Sequence, residues 1–152
     1  MNTLLLAIAF VLTPFFGQVP ATEIKPLKFD GQVKVNSLPC DNATISICRL
    51  GKDNGECETS VYNLTTGKNG KFDFQLEPDA NYRMDVKKNG FVDRFVLIDT
   101  SMPEERTGDL KPFTFEIQLS LYADANEVPV QAGSIYFDSV KNRVDYRIGT
   151  AK

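Results

Sequence analysis

Phe113-Thr114-Phe115-Glu116-Ile117-Gln118-Leu119-Ser120-Leu121 alternates apolar and polar side chains without a break. An extended backbone points successive side chains to opposite faces, so this stretch reads as a strand with one dry face and one wet face. A surface helix would need its apolar residues every three or four positions instead.

The same alternation recurs upstream. Phe72, Phe74 and Leu76 alternate with Lys71, Asp73 and Gln75, and Tyr82, Met84 and Val86 alternate with Arg83, Asp85 and Lys87. Ala43, Ile45 and Ile47 alternate with Thr44 and Ser46. Between Phe91 and Ile98 the pattern changes: Val92, Phe95, Val96, Leu97 and Ile98 put apolar groups on both faces, with Asp93 and Arg94 between them. That predicts a central or bulged strand.

Turn chemistry separates these runs. Asn-Gly occurs at Asn54-Gly55, Asn69-Gly70 and Asn89-Gly90, a pair favoured where successive residues take positive φ. Glu77-Pro78-Asp79-Ala80-Asn81 marks another turn, and Asp30-Gly31 precedes the first apolar alternation. About seven strands follow, near residues 31–36, 43–49, 57–66, 70–76, 81–88, 91–99 and 112–122. The expected fold is all-β, an antiparallel Greek-key sandwich with one core between two sheets.

The start of the chain is different in kind. Residues 1–21 carry no charge, and Leu4 to Phe16 is a 13-residue apolar run (16 − 4 + 1). This is the length of a signal-peptide core, whereas a membrane-spanning helix needs about 20 residues. Val19 and Ala21 suit the −3 and −1 positions of a cleavage site, which predicts cleavage after Ala21 and a mature start at Thr22. The segment before the apolar run has no Lys or Arg, so an uncleaved N-terminal anchor is the competing reading. No cysteine lies in or just after this segment to carry a lipid anchor. The expectation is an exported protein, periplasmic or at the cell surface, with no membrane span in the mature chain. The predicted organisation is a signal peptide at 1–21, a linker at 22–29, a sandwich at 30–123, and a C-terminal extension at 124–152 packing on it.

Composition narrows the chemistry. The chain has 152 residues, 17 basic and 20 acidic, a net charge of −3, and no histidine. Without histidine there is no Ser-His-Asp or Cys-His catalysis, no histidine metal site and no imidazole pH switch. Without a basic field, nucleic acid is not the expected partner. No G-x-S-x-G, S-x-x-K or G-x-G-x-x-G occurs.

Asp30-Gly31-Gln32-Val33, Asn42-Ala43-Thr44-Ile45-Ser46-Ile47, Thr65-Thr66-Gly67-Lys68-Asn69-Gly70-Lys71-Phe72-Asp73-Phe74 and Asn89-Gly90-Phe91-Val92 together resemble the carboxypeptidase regulatory-like domain. Gly67 stands where that family usually has Asp, and Asn42 where it usually has Gly. Ile135-Tyr136-Phe137-Asp138 and Asp145-Tyr146 are similar to segments that follow the sandwich in small exported bacterial proteins of this kind. The resemblance implies a transthyretin-like (prealbumin-like) sandwich, non-catalytic by itself and grouped with carbohydrate-binding-like folds. Tyr146-Arg147-Ile148-Gly149-Thr150 echoes the Tyr-Arg-Gly-Ser ending of purine-ring-opening relatives, but the histidines those enzymes use are missing.

A few residues remain as chemical candidates. Cys40, Cys48 and Cys57 are the three cysteines, and a hairpin centred on Lys52-Asp53 would place Cys48 opposite Cys57. A Cys48–Cys57 disulfide therefore stands against free thiols or a Cys40 pairing, since spacing does not fix connectivity. There is no C-x-x-C pair of the redox-enzyme kind.

Asp53-Asn54-Gly55-Glu56 is acidic but lacks calcium-loop spacing and reads as a solvated turn. Glu104-Glu105-Arg106 lies in a long connection, suited to a partner contact or simply to a crossover between sheets. Asp138-Ser139-Val140 resembles an O-glycosylation motif of some bacterial envelopes, with Ser139 as acceptor. Asn42-Ala43-Thr44 and Asn63-Leu64-Thr65 are N-glycosylation sequons that matter only in a eukaryotic secretory pathway. Asp73, Asp85 and Asp93 fall on predicted wet faces, where solubility explains them.

The functional expectation is a non-catalytic binding or structural module of the bacterial cell envelope. It has no catalytic, metal or cofactor-binding residues, and an unidentified protein or glycan is its partner. A carbohydrate-binding module is the first alternative, with Tyr62 and Tyr122 available for stacking on sugar rings. A hydrolase working through carboxylates alone is the second; its sign would be a deep pocket lined by two close Asp or Glu residues.

Overall fold

The computed structural model of the chain describes residues 25–52, 55–103, 110–121 and 128–149. The described residues form ten β-strands and no helix: β1 (Leu27–Val35), β2 (Leu38–Pro39), β3 (Thr44–Leu50), β4 (Cys57–Thr65), β5 (Lys71–Leu76), β6 (Asn81–Lys87), β7 (Arg94–Asp99), β8 (Phe113–Leu119), β9 (Val130–Asp138) and β10 (Arg143–Ile148). They make two sheets that enclose one core, the all-β sandwich the alternation predicts. In the smaller sheet β1 pairs with β2 and β5, and with β8 on its other side. The larger sheet runs β10-β9-β7-β6-β3-β4.

Burial follows the period-two reading closely. Phe72, Phe74 and Leu76 on β5, Tyr82, Met84 and Val86 on β6, and Phe115, Ile117 and Leu119 on β8 are all buried. Their polar neighbours Lys71, Asp73, Gln75, Thr114, Glu116 and Gln118 are exposed. The smaller sheet contributes an aromatic layer: Phe29 stacks on Phe74 at 5.0 Å, and Phe72 meets Phe115 edge-on at 5.8 Å. Such ring pairs add about 0.5–1.5 kcal/mol beyond the area they bury.

Three features depart from the expectation. The strands number ten rather than about seven, and two pairings are parallel: β1 with β8, and β7 with β9. A parallel partner leaves no local turn signal, because its connection crosses from elsewhere in the chain.

The second departure is at the N-terminal side, where β1 begins at Leu27, within the stretch expected to be a linker. Leu27 and Phe29 are buried while Lys28 and Asp30 are exposed, so the alternation starts earlier than Asp30-Gly31 suggested.

The third concerns β9 and β10, which extend the larger sheet as strands from the predicted extension. Ile135 is buried at its centre, and Tyr146 donates to the Ala132 carbonyl at 3.0 Å. Half-buried faces on both sides of β9 hid its period. Between Phe91 and Ile98 the strand is β7, flanked by β6 and β9 and therefore central, with a register shift against β9 between Phe95 and Val96.

Positive φ recurs at several turns, two of which shape the smaller sheet. Asn36 and Ser37 both take positive φ, 49° and 66°, joining β1 to β2 through a two-residue hairpin that the sequence reading missed. In the Asn69-Gly70 turn the glycine is left-handed (φ 67°), and a Cβ there would meet the Val33 carbonyl at 2.4 Å. That close approach lets Val33 N donate to Gly70 O at 2.8 Å and fixes the β5 entry against β1.

Candidate functional site

β4, the edge of the larger sheet, lies near β5 of the smaller one. A cleft of about 500 Å³ opens there, lined by Pro26, Arg49, Thr59, Ser60, Val61, Tyr62, Gln75, Glu77 and Tyr82. Its position follows from the sequence of β4. Cys57–Thr65 shows almost no buried position, only Tyr62 and Leu64 being half-buried, so this strand does not close over the core. Tyr62 instead turns toward Phe74, with ring centroids 6.2 Å apart, and forms the apolar floor.

The lining mixes polar side chains with a larger share of apolar surface. Arg49 Nη1 lies 3.5 Å from Glu77 Oε2, an ion pair whose side chains are 42% and 78% exposed, which leaves both groups open to another partner. Tyr82 Oη donates to the Glu77 carbonyl at 3.2 Å, and burial holds its phenol above the ordinary range. Tyr82 therefore positions the Glu77 backbone and stays protonated. Arg49 supplies donors, Glu77 an acceptor, and Gln75, Thr59 and Ser60 both. A half-buried aromatic ring beside such a mixture suits a small polar ligand with an apolar face. Among the residues lining this cleft, Glu77 is the single carboxylate.

Cys48 lies on β3 and Cys57 on β4, while Cys40 lies between β2 and β3. The β3–β4 ladder pairs Ile47 with Tyr62, then shifts so that Cys48 faces Ser60, and shifts again so that Leu50 faces Cys57. The symmetric hairpin placing Cys48 directly opposite Cys57 is thus corrected: Ser60 stands opposite Cys48, and Cys57 stands opposite Leu50. All three cysteines are free thiols in this structure, Cys40 and Cys48 buried and Cys57 exposed. Cys48 and Cys57 are nonetheless near neighbours, one diagonal step apart across the ladder. Burial, then the neighbouring Cys57, pushes the Cys48 thiol up to about 12. Cys40 packs in the core beneath Thr66, whose hydroxyl donates to the Cys40 carbonyl at 2.8 Å.

Ser139 sits exposed in the turn joining β9 to β10. Asp138 Oδ1 accepts from the backbone N–H of Val140 and Lys141, at 3.0 and 3.1 Å, and these bonds cap the turn around Ser139. The Lys141 backbone bond, followed by its ammonium, holds the Asp138 carboxyl below its ordinary value.

Asp85 pairs with Arg83 at 2.8 Å and Asp93 with Lys87 at 3.4 Å, while Asp73 is exposed on β5, so these carboxylates do not converge on the cleft. Among the described residues no three His, Cys, Asp or Glu side chains gather closely enough to hold a metal, and no helix is long and apolar enough to cross a membrane. The expected signal segment with its expected cleavage position Ala21, Asp53-Asn54, Glu104-Glu105-Arg106, Tyr122 and Thr150 lie outside the described residues.

The sequence singled out Tyr62 but missed Arg49, Glu77 and Tyr82. Arg49 on β3 and Glu77 just after β5 meet across 28 positions.

No protein-family model matches the chain, and no curated protein matches it. Among solved structures it is similar to 3-chlorocatechol 1,2-dioxygenase from Rhodococcus opacus 1CP, with a TM-score of 0.45 and 11% identity over 64% of this chain and 60% of that one. Catechol 1,2-dioxygenase from Acinetobacter sp. ADP1 gives a TM-score of 0.45 at 13% identity, covering 75% and 60%. S.CueP gives 0.40 at 13% identity, covering 64% of each. The chain thus spans about 60% of the length of these dioxygenases. Likenesses this slight bear on neither chemistry nor partners.

Proposed function

We propose that this chain is a non-catalytic, exported binding module of the bacterial cell envelope, and that it binds through the cleft between β4 and β5. The observation that carries the reading is the cleft itself. Its volume of about 500 Å³ falls within the range of about 300–1,000 Å³ typical of small-ligand sites, and the polar side chains of Arg49, Gln75 and Glu77 share its lining with Tyr62.

The uncharged, 13-residue apolar start (Leu4 to Phe16, 16 − 4 + 1) and the resemblance to the carboxypeptidase regulatory-like domain support export and a binding role. An Asp138-Ser139-Val140 motif at an exposed turn is in keeping with an envelope protein that carries a glycan on Ser139.

The lining favours a carbohydrate as ligand. A sugar ring offers an apolar face to Tyr62 and hydroxyls to Arg49, Gln75, Glu77, Thr59 and Ser60. A hydrolase working through paired carboxylates is the weaker reading for this site, because Glu77 has no acidic neighbour among the lining residues. The test is whether the mature protein retains oligosaccharides on an array and leaves them intact; retention without cleavage supports the proposal.

A further inference from the structure

The two cysteines on the outer face of the larger sheet are closer than a regular ladder would allow. Thr44 to Ile47 pair with partners whose numbers sum to 109; continued without a break, that register would set Cys57 opposite Lys52, four residues beyond Cys48. At about 3.3 Å per residue the thiols would then stand about 13 Å apart along the strand. The two shifts in the ladder bring Cys57 opposite Leu50 instead, one diagonal step from Cys48 on the same face. Cys57 is near enough to raise the Cys48 thiol. Spacing in the sequence gives no C-x-x-C pair, but strand pairing supplies a neighbouring dithiol. Arg83 and Asp85 of β6 lie beside it.

We propose that Cys48 and Cys57 form a reversible dithiol–disulfide couple, closed by exchange with a low-molecular-weight disulfide. Exposure sets the order of events. Cys57 is exposed and Cys48 is 9% exposed, so the Cys57 thiolate makes the first attack. It displaces one thiolate from the small disulfide and forms a mixed disulfide. Cys48 then loses its proton to solvent and attacks the Cys57 sulfur, releasing the second small thiolate and leaving the Cys48–Cys57 bond. Two protein thiols are oxidised and one small disulfide is reduced to two thiols. Cys40 takes no part, being packed in the core beneath Thr66. The couple does not depend on what occupies the cleft.

The experiment equilibrates the full chain with oxidised glutathione, quenches by alkylation, and reads intact mass and the fragmentation spectra of tryptic peptides, which separate Cys40 from Cys48 within the shared peptide 35–49. Trypsin cuts after Arg49 and Lys52, between the two cysteines, so the cross-link survives as a two-peptide product. The expected result is the loss of two hydrogens, a linked pair containing Cys48 and Cys57, one remaining alkylated thiol at Cys40, and full reversal by dithiothreitol. Cys48→Ser should stop at a glutathione adduct on Cys57, and Cys57→Ser should take up no glutathione. A wild-type chain that stops at the Cys57 adduct, links to Cys40, or dimerises through Cys57 would overturn the proposal.

Discussion

The ring of Phe72 lies directly over Gly31: a Cβ built on the glycine would stand 2.1 Å from Phe72 Cζ. The two residues face each other across β1 and β5, and Phe115 flanks Gly31 on β8. Gly31 therefore makes room for the aromatic layer. Gly31→Ala is expected to force the ring off its rotamer and cost about 1–3 kcal/mol. Urea denaturation checks this, with Gly67→Ala as the control, since the nearest atom to its added Cβ is 3.7 Å away. An unchanged midpoint for Gly31→Ala would mean that Phe72 packs elsewhere.

β9 is expected to behave as part of the core rather than as an appendage. Ile135 is 1% exposed and faces Ile98 on β7 and Tyr146 on β10. Truncating it leaves a cavity, so Ile135→Ala should destabilise the whole domain by about 2–5 kcal/mol. The loss should appear in a single unfolding transition. A separate early transition with an undisturbed main one would show that residues 130–148 fold apart from the sandwich.

Arg49 and Glu77 should matter to ligand far more than to stability. Exposed ion pairs contribute about 0–1 kcal/mol, and at 3.5 Å this one is loosely made. Arg49→Ala is expected to leave the denaturation midpoint nearly unchanged while weakening retention of ligand. A large stability loss would recast Arg49 as a structural residue.

Cys48 predicts an alkaline effect. Burial first, and then Cys57, raise its thiol from 9.0 to about 12, with Asp85 and Arg83 beside it acting in opposite directions. The folded protein then holds this proton more tightly than the unfolded chain, so its contribution to stability is complete below about 9 and is lost as pH rises toward about 12. Under reducing conditions, wild-type stability should fall more steeply over that window than that of Cys48→Ser. Parallel profiles would show that the thiol is solvated.

Much of the sandwich was legible because alternation and burial are the same fact for β5, β6 and β8. Wherever one face is dry, a strand is written in period two. β9 hid because the larger sheet half-buries both of its faces, and β2 because two residues make no period. The Cys48–Cys57 neighbourhood was half legible: the hairpin brings the strands together, but bulges that shift the register leave no mark in the residue pattern. The cleft was mostly illegible, since Arg49 lies on β3 of the larger sheet and Glu77 follows β5 of the smaller one. Only Tyr62, an aromatic residue on a polar strand, gave a sign of it.

Binding at the cleft is tested most directly by an oligosaccharide array probed with the wild-type protein, Tyr62→Ala and Arg49→Ala, with mass spectrometry of the retained sugars. The expected result is retention of at least one glycan class by wild type, a loss of about tenfold or more in apparent affinity for both variants, equivalent to about 1.4 kcal/mol, and sugars recovered uncleaved. No retention by wild type, retention unaffected by either substitution, or recovery of cleaved sugars would contradict it.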